Sequence, residues 1–170
     1  SRKLSLVASK TDNAGIITTV AGSGPGNFEG GFSGDRGPAT EARLNRPQAI
    51  AVDSSGQIFI ADSENNRVRR VGTDEIIATV AGTGEWHDDE FSGARSALDV
   101  NLGRTFSVSI DSDGKGVLVG DTHYLYRLRL DGGAPSMERI AGIGPRAMPS
   151  SFGATSMALV RPRGLAFSPV

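Results

Sequence analysis

The sequence predicts an all-β fold made of repeated four-stranded units, and three observations carry that prediction. A short phrase returns at one fixed interval: AGSG at 21–24, AGTG at 81–84 and AGIG at 141–144, so Ala21, Ala81 and Ala141 stand sixty residues apart. Between these phrases the apolar residues alternate with a period of two, the spacing of a strand with one face covered. The 170 residues include 23 Gly and 8 Pro without a collagen period, which implies many tight turns and many short strands.

The elements follow in order. Residues 49–53, AIAVD, alternate and are broken by SSG, where Gly56 supplies a hairpin turn. QIFIAD (57–62) is a short apolar strand, and RVRRV (67–71) reads as a half-exposed strand of mixed charged and apolar residues. IIATVAG (76–82) is the fourth strand of the unit. The second unit repeats this order with SVSID, a turn at SDGKG around Gly114, VLVGD, YRLRL and MERIAG. Ahead of the first unit, KLSLVAS and GIITTVAG supply the last two strands of another. A single strand over 163–168 would open a further one, giving about eleven strands in all. Long connections rich in Gly and small residues join each fourth strand to the next unit: 31–47, 90–104 and 151–162. The Ala-Gly-x-Gly phrase then ends each outer strand, where a small residue and a Gly let the chain leave the sheet edge sharply. A unit of sixty residues and four antiparallel strands fits one blade of a β-propeller with an extended connection; solenoid units are usually shorter and often carry a helix.

Composition narrows the function. Eighteen Lys and Arg meet nineteen Asp and Glu for a net charge of −1, which speaks against a dedicated nucleic-acid binder, although RVRR (67–70) and RPR (161–163) gather positive charge locally. There is no cysteine, so no disulfide framework and no reading of redox compartment. No apolar run approaches the ~18 residues that span a bilayer. No secretory leader pattern opens the chain, and SRKLSLVASK reads as the middle of a longer protein.

RPQAIAVDSSGQIFIADSENNRVRRV (46–71) resembles an NHL repeat. The matches are Pro47, Ala51, Val52, Asp53, Gly56, Ile58, Ile60, Ala61, Asp62, Asn65, Asn66, Arg67 and Val68. Ala49 stands where the family usually has Gly, whereas RPRGLAFSP keeps Gly164. TTVAGSG followed by GFSGDRGPATEARLNRP is similar to the long inter-blade segment of the extended NHL type. The second unit lacks the Pro and the Asn-Asn-Arg, and the third is a fragment. The resemblance implies an NHL-type β-propeller fragment of about three four-stranded blades, six-bladed when complete or dimerised. The expected division is 1–24 for the end of one blade, 47–84 and 105–144 for two full blades, and 161–170 for the first strand of the next. Three blades taken twice make six, so a homodimer closing the ring is arithmetically open.

Each candidate site has a plainer competitor. AGSGPGNFEGG (21–31) lacks the Gly-Lys-Ser/Thr of a phosphate loop and reads as an exit turn. DSDGKG (111–116) offers Asp111 and Asp113 to a cation but lacks the bidentate Glu of a calcium loop, and DSSGQ at the same place in the first unit marks it as a hairpin turn. Asp62 and Asp121 recur once per unit, which argues for hydrogen bonding to turn amides or to the Arg67 type of side chain rather than for acid–base work. EWHDDEF (85–91) holds the sole Trp; His87 and Asp88 there are metal-ligand types, and the plainer reading is a solvated acidic loop. Trp86 exposed on that loop would make a binding anchor. Arg36, Arg46, Arg104, Arg161 and Arg163 lie in the long connections and could ring one face to recruit an acidic peptide, phosphate or RNA; the competing reading pairs them with Asp35, Glu41 or Asp99. Lone His123 and the absence of Gly-x-Ser-x-Gly leave no nucleophile–base arrangement in view.

The expected function is therefore a non-catalytic propeller scaffold that binds a protein or peptide partner through its loop face, with no cofactor and no membrane segment. The alternatives are part of a metal-dependent hydrolase or lyase propeller whose channel ligands lie partly elsewhere, and an RNA-binding NHL module.

Overall fold

A computed structural model of the chain describes residues 8–11, 15, 17–23, 30–86 and 93–142. The described strands are β1 (Ala8–Thr11), β2 (Ile17–Ala21), β3 (Ala49–Val52), β4 (Ile58–Asp62), β5 (Arg67–Val71), β6 (Ile77–Ala81), β7 (Ala94–Ser96), β8 (Ser107–Ile110), β9 (Gly116–Gly120), β10 (Leu125–Arg129) and β11 (Ser136–Ala141). They form three antiparallel sheets: β1-β2, then β3-β4-β5-β6, then β7-β11-β10-β9-β8. Among the described residues no helix is long and apolar enough to cross a membrane.

Two-residue periodicity places the core. On one face of the first four-stranded sheet Phe59, Ala61, Val68 and Val80 are buried, and they meet Val100, Leu102, Val108 and Val119 of the next repeat in one continuous cluster. On the opposite face Ile60, Val71 and Ile77 pack against Ala21 of β2 and against Ala39 and Ala42 of the connection before β3. Each repeat thus fills the space against its neighbour, and each buried Val, Ile or Phe contributes about 1.5–3 kcal/mol.

The recurring phrase does what the sequence implies. Ala21, Ala81 and Ala141 each end an outer strand, and Gly22, Gly82 and Gly142 follow with φ of 100°, 94° and 96°. The register shifts at the same place in all three pairs: Ala8 opposes Ala21 but Ser9 opposes Thr19; Val68 opposes Ala81 but Arg69 opposes Thr79; Leu125 opposes Ala141 but Tyr126 opposes Arg139. Val20, Val80 and Ile140 are therefore extra residues in a repeated β-bulge that twists the outer strand just before the chain departs.

The long connections are more structured than the sequence suggests. After the first two bulges the chain docks the next connection in the same way: the Gly22 amide donates to the Ala39 carbonyl and Ser23 to Ala42, just as Gly82 donates to Ala97 and Thr83 to Val100. Ala39–Glu41 and Ala97–Asp99 each form one turn of 3-10 helix. Upstream of these turns the connection pairs along the outer edge of the sheet it is about to enter. Pro38 bridges Ile76, and β7 pairs with β11 as a fifth strand, Ser96 opposite Ser136. Residues 90–104 read as a plain connection because the three residues of β7 are all exposed and carry no alternation. The expected strand over 163–168 lies outside the described residues.

Candidate functional site

Strands β4, β6, β9 and β11 all run toward one end of the sheets, and the connections return to β3 and β8 at that same end. A carboxylate organises each return. Asp62, the last residue of β4, is fully buried. Its Oδ1 accepts the Asn45 amide at 2.7 Å, and its Oδ2 accepts Asn65 Nδ2 at 2.8 Å and Arg69 at 3.3 Å. Asn66 then turns the chain back with φ of 50°, a left-handed conformation that Asn tolerates better than most residues. In the next repeat Asp121 accepts the amides of Gly103, His123 and Tyr124 at 2.8–2.9 Å. Burial pushes the carboxyl of each above its ordinary value, and these donors pull in the opposite direction.

Turn amides serve as the sequence implies, but the guanidinium partner of Asp62 is Arg69, not Arg67. Nor is RVRRV simply half-exposed: Arg69 is fully buried. It donates to Asp35 Oδ1 at 2.6 Å and to the carbonyls of Ser33 and Arg43, so one cation ties the connection to the sheet face. Arg67 lies with its guanidinium 3.9 Å above the Phe32 ring and donates to the carbonyls of Asn65 and Thr83. Tyr126 occupies the strand position of Arg69 in the next repeat, opposite Val119 as Arg69 is opposite Ile60. Burial and the nearby Asp121 carboxylate push its hydroxyl far above the ordinary tyrosine value.

Above this buried layer two predicted residues come together. Arg46 reaches Glu64 Oε1 at 3.5 Å, and Arg104 reaches the same oxygen at 2.8 Å. Both arginines are exposed, one from each long connection, and Glu64 sits in the turn after β4. Two guanidinium groups and one carboxylate leave the cluster one net positive charge. The partner is neither Glu41 nor Asp99, and Asp35 is taken by Arg69. Glu64 escaped the sequence reading because nothing in SENN marks a charge that two connections share; the doubled arginine in RVRRV was the available sign that one of them turns inward. Trp86, 66 % exposed, follows β6 at this same end.

Other candidates lie elsewhere. The Arg36 amide donates to the Ile77 carbonyl at the start of β6, which puts Arg36 at the opposite end of the sheet from Arg46 and Arg104. Asp111 and Asp113 also lie at that opposite end. Asp111 Oδ2 is 2.7 Å from Arg127 Nε, close but not aligned as a hydrogen bond, and Asp113 pairs with Arg129, whose donation lowers its carboxyl. His87, Asp88, Arg161 and Arg163 lie outside the described residues. Among the described residues no three His, Cys, Asp or Glu side chains gather as a metal site would require.

Antiparallel sheets packed face to face, one of four strands and one of four extended by the edge strand β7, each entered by a connection that caps its outer edge, define blades of a β-propeller built from NHL repeats. The Teneurin NHL domain family matches residues 2–105, more than half of the chain, and the chain belongs to that family. NHL repeat-containing protein 2 of Gallus gallus is 32% identical over 129 residues, 71% of this chain and 17% of the relative. Teneurin-1 of Mus musculus is 31% identical over 100 residues, 58% of this chain and 4% of the relative. The chain therefore spans less than a fifth of the length of either. A structural genomics protein of unknown function from Bacteroides thetaiotaomicron superposes with a TM-score of 0.52 at 19% identity, over 76% of this chain and 28% of that one, which supports the fold.

Proposed function

We propose that the chain is a non-catalytic propeller platform that binds an acidic segment of a protein or peptide partner on the face carrying Arg46, Glu64, Arg104 and Trp86. The convergence of Arg46 and Arg104 on one carboxylate carries this reading. The two arginines share a single counter-charge, so an incoming carboxylate finds guanidinium donors already positioned, and an exposed Trp at the same end supplies apolar area. A fluorescent acidic peptide and its Asn/Gln twin, titrated by anisotropy at two salt concentrations, test it. The acidic peptide binds, the twin does not, and Arg46→Ala with Arg104→Ala abolishes the difference. Equal binding of both peptides, or tighter salt-sensitive capture of single-stranded RNA, removes the reading.

We further propose that another blade covers the free face of β3. Ile50 and Val52 are 43% and 55% exposed, whereas Val108, at the position of Ile50 in the next repeat, is 7% exposed because the preceding blade covers it. A second copy of the chain is one source of that blade. Light scattering on a sizing column separates the cases: a mass near twice 17.7 kDa supports ring closure by two copies, and a mass near 17.7 kDa at every concentration rules it out.

A further inference from the structure

At the end of the sheets opposite the arginine cluster, a cleft opens between the four-stranded sheet β3–β6 and the five-stranded sheet that holds β8–β11. Asp53, Ser55 and Gln57 of the β3–β4 turn form one wall, and Lys115 of the β8–β9 turn with Asp131 after β10 forms the other. Ile110 and Leu130, both half-buried, line it with the ring of Phe59. Arg70 projects into this cleft from β5, on the face opposite to Arg69. Its Nε is buried and meets no acceptor, and among the described residues no carboxylate lies within ion-pair distance of Arg70 or of Lys115.

The next repeat shows what such an arginine ordinarily finds. Arg127 stands opposite Leu118 as Arg70 stands opposite Phe59, and it lies against Asp111, the residue just after β8. Asp53 is the counterpart of Asp111, just after β3, but it is engaged elsewhere. Its Oδ1 accepts the Ser55 amide, the Ser55 hydroxyl and the Gln57 amide, and its Oδ2 accepts Gln57 Nε2 at 3.0 Å. The second repeat has Asp113 and Lys115 at those two places, and neither side chain donates to Asp111. Ser55 and Gln57 thus withdraw the internal carboxylate and leave Arg70 with an open guanidinium above an apolar floor.

We infer that this inter-blade cleft is a binding site for a carboxylate carrying an apolar group, such as the C-terminus of a peptide ending in an aliphatic residue. The carboxylate lies between Arg70 and Lys115, and the aliphatic part rests on Ile110 and Leu130. The charge-assisted donors select a carboxylate, and the floor excludes a bare oxyanion from the full interaction.

Titration of the isotope-labelled chain with N-acetyl-leucine, followed by amide chemical shifts, tests this. Saturable shifts at Ile110, Lys115 and Leu130 are expected, with none from N-acetyl-leucinamide and weaker ones from inorganic phosphate. Arg70→Ala weakens binding at least about tenfold, as loss of a hydrogen bond to a charged group does. Lys115→Ala, on an exposed turn where the fold is not at stake, weakens it by a smaller factor. Gln57→Ala also weakens it, by releasing Asp53 to fill the site from within. Absence of saturable shifts, equal binding of the amide or of phosphate, or unchanged affinity in folded Lys115→Ala and Gln57→Ala overturns the assignment.

Discussion

Gly82 and Gly142, which follow the outer strands of the two full repeats, carry two separate constraints, and substitutions can tell them apart. Gly82 has φ of 94°, and a Cβ there would be driven into the Asn66 carbonyl and sit 3.1 Å from Arg67 Cα. Gly56 has φ of 88° with nothing within 4 Å, and Gly132 has neither constraint. Gly82→Ala is therefore expected to cost about 2–4 kcal/mol and Gly56→Ala about 1 kcal/mol, while Gly132→Ala is neutral or slightly stabilising through the unfolded chain. Urea midpoints at constant slope check the order; equal losses at 82 and 56 would show that the close approach does not matter. Single carboxylates behave as distinctly. Burial raises Asp62 and Asp121, so the native state holds their protons to higher pH than the unfolded chain does. Their contribution to stability is present below the ordinary value of 3.8 and declines as pH rises from there through the raised folded value. Asp53 has the opposite sign. Its slight burial would raise it, but the donors from Ser55 and Gln57 together lower it, so its contribution is present above 3.8 and is lost as pH falls through the lowered folded value. Asp53→Asn should then lose less stability than the unsubstituted chain on acidification from about pH 5 to about pH 3, which thermal melts across that range would read directly.

One place in the repeated element is built in two ways. Asp62 is buried beside a cation in the first full blade, and Asp121 is buried beside the Tyr126 hydroxyl in the second. Removing Arg69 strands a buried carboxylate, so Arg69→Leu should cost about 3–5 kcal/mol. Arg69→Tyr borrows the arrangement of the neighbouring blade and should cost clearly less, although Asp35 and the Ser33 carbonyl also lose a donor. Similar denaturation midpoints for the two variants would mean that the cation matters for holding the connection and not for Asp62. The element scale is also where sequence reading divides. The four strands of each blade, their turns and the exit at Ala-Gly were legible, because period-two apolar spacing and glycine at positive φ are local signals. Strand β7 was not, because a three-residue edge strand with both faces exposed leaves no alternation to read. The inward turn of Arg69 was not legible either: its partners Asp35, Ser33 and Arg43 come from a connection more than twenty residues away, and their approach depends on how that connection folds over the sheet. The meeting of Arg46 and Arg104 at Glu64 escaped for the same reason, although the arginines themselves stood out as candidates.

Among the described residues, two apolar clusters, one on each face of the β3–β6 sheet, join successive repeats, while the ends of the strands carry the polar chemistry. Glu64 is the point where these two arrangements meet. It belongs to the first full blade and contacts arginines from the connections entering both blades, so it could act either as a structural tie or as a brake on anion binding. Magnitudes favour the second. Both guanidinium groups are exposed, and exposed ion pairs contribute roughly 0–1 kcal/mol. The apolar cluster joining Phe59, Val68 and Val80 to Val100, Leu102 and Val119 contributes far more to holding the blades together. Glu64→Gln should therefore leave the melting temperature within about 2 °C of the unsubstituted chain, in keeping with so small an energy. It also raises the local charge from one net positive to two. An acidic peptide should then bind about threefold more tightly, with a steeper fall as salt is added. Weaker binding by Glu64→Gln at unchanged melting temperature would show instead that Glu64 holds the two guanidinium groups in the geometry the ligand needs, and positioning rather than net charge would set the affinity of this face.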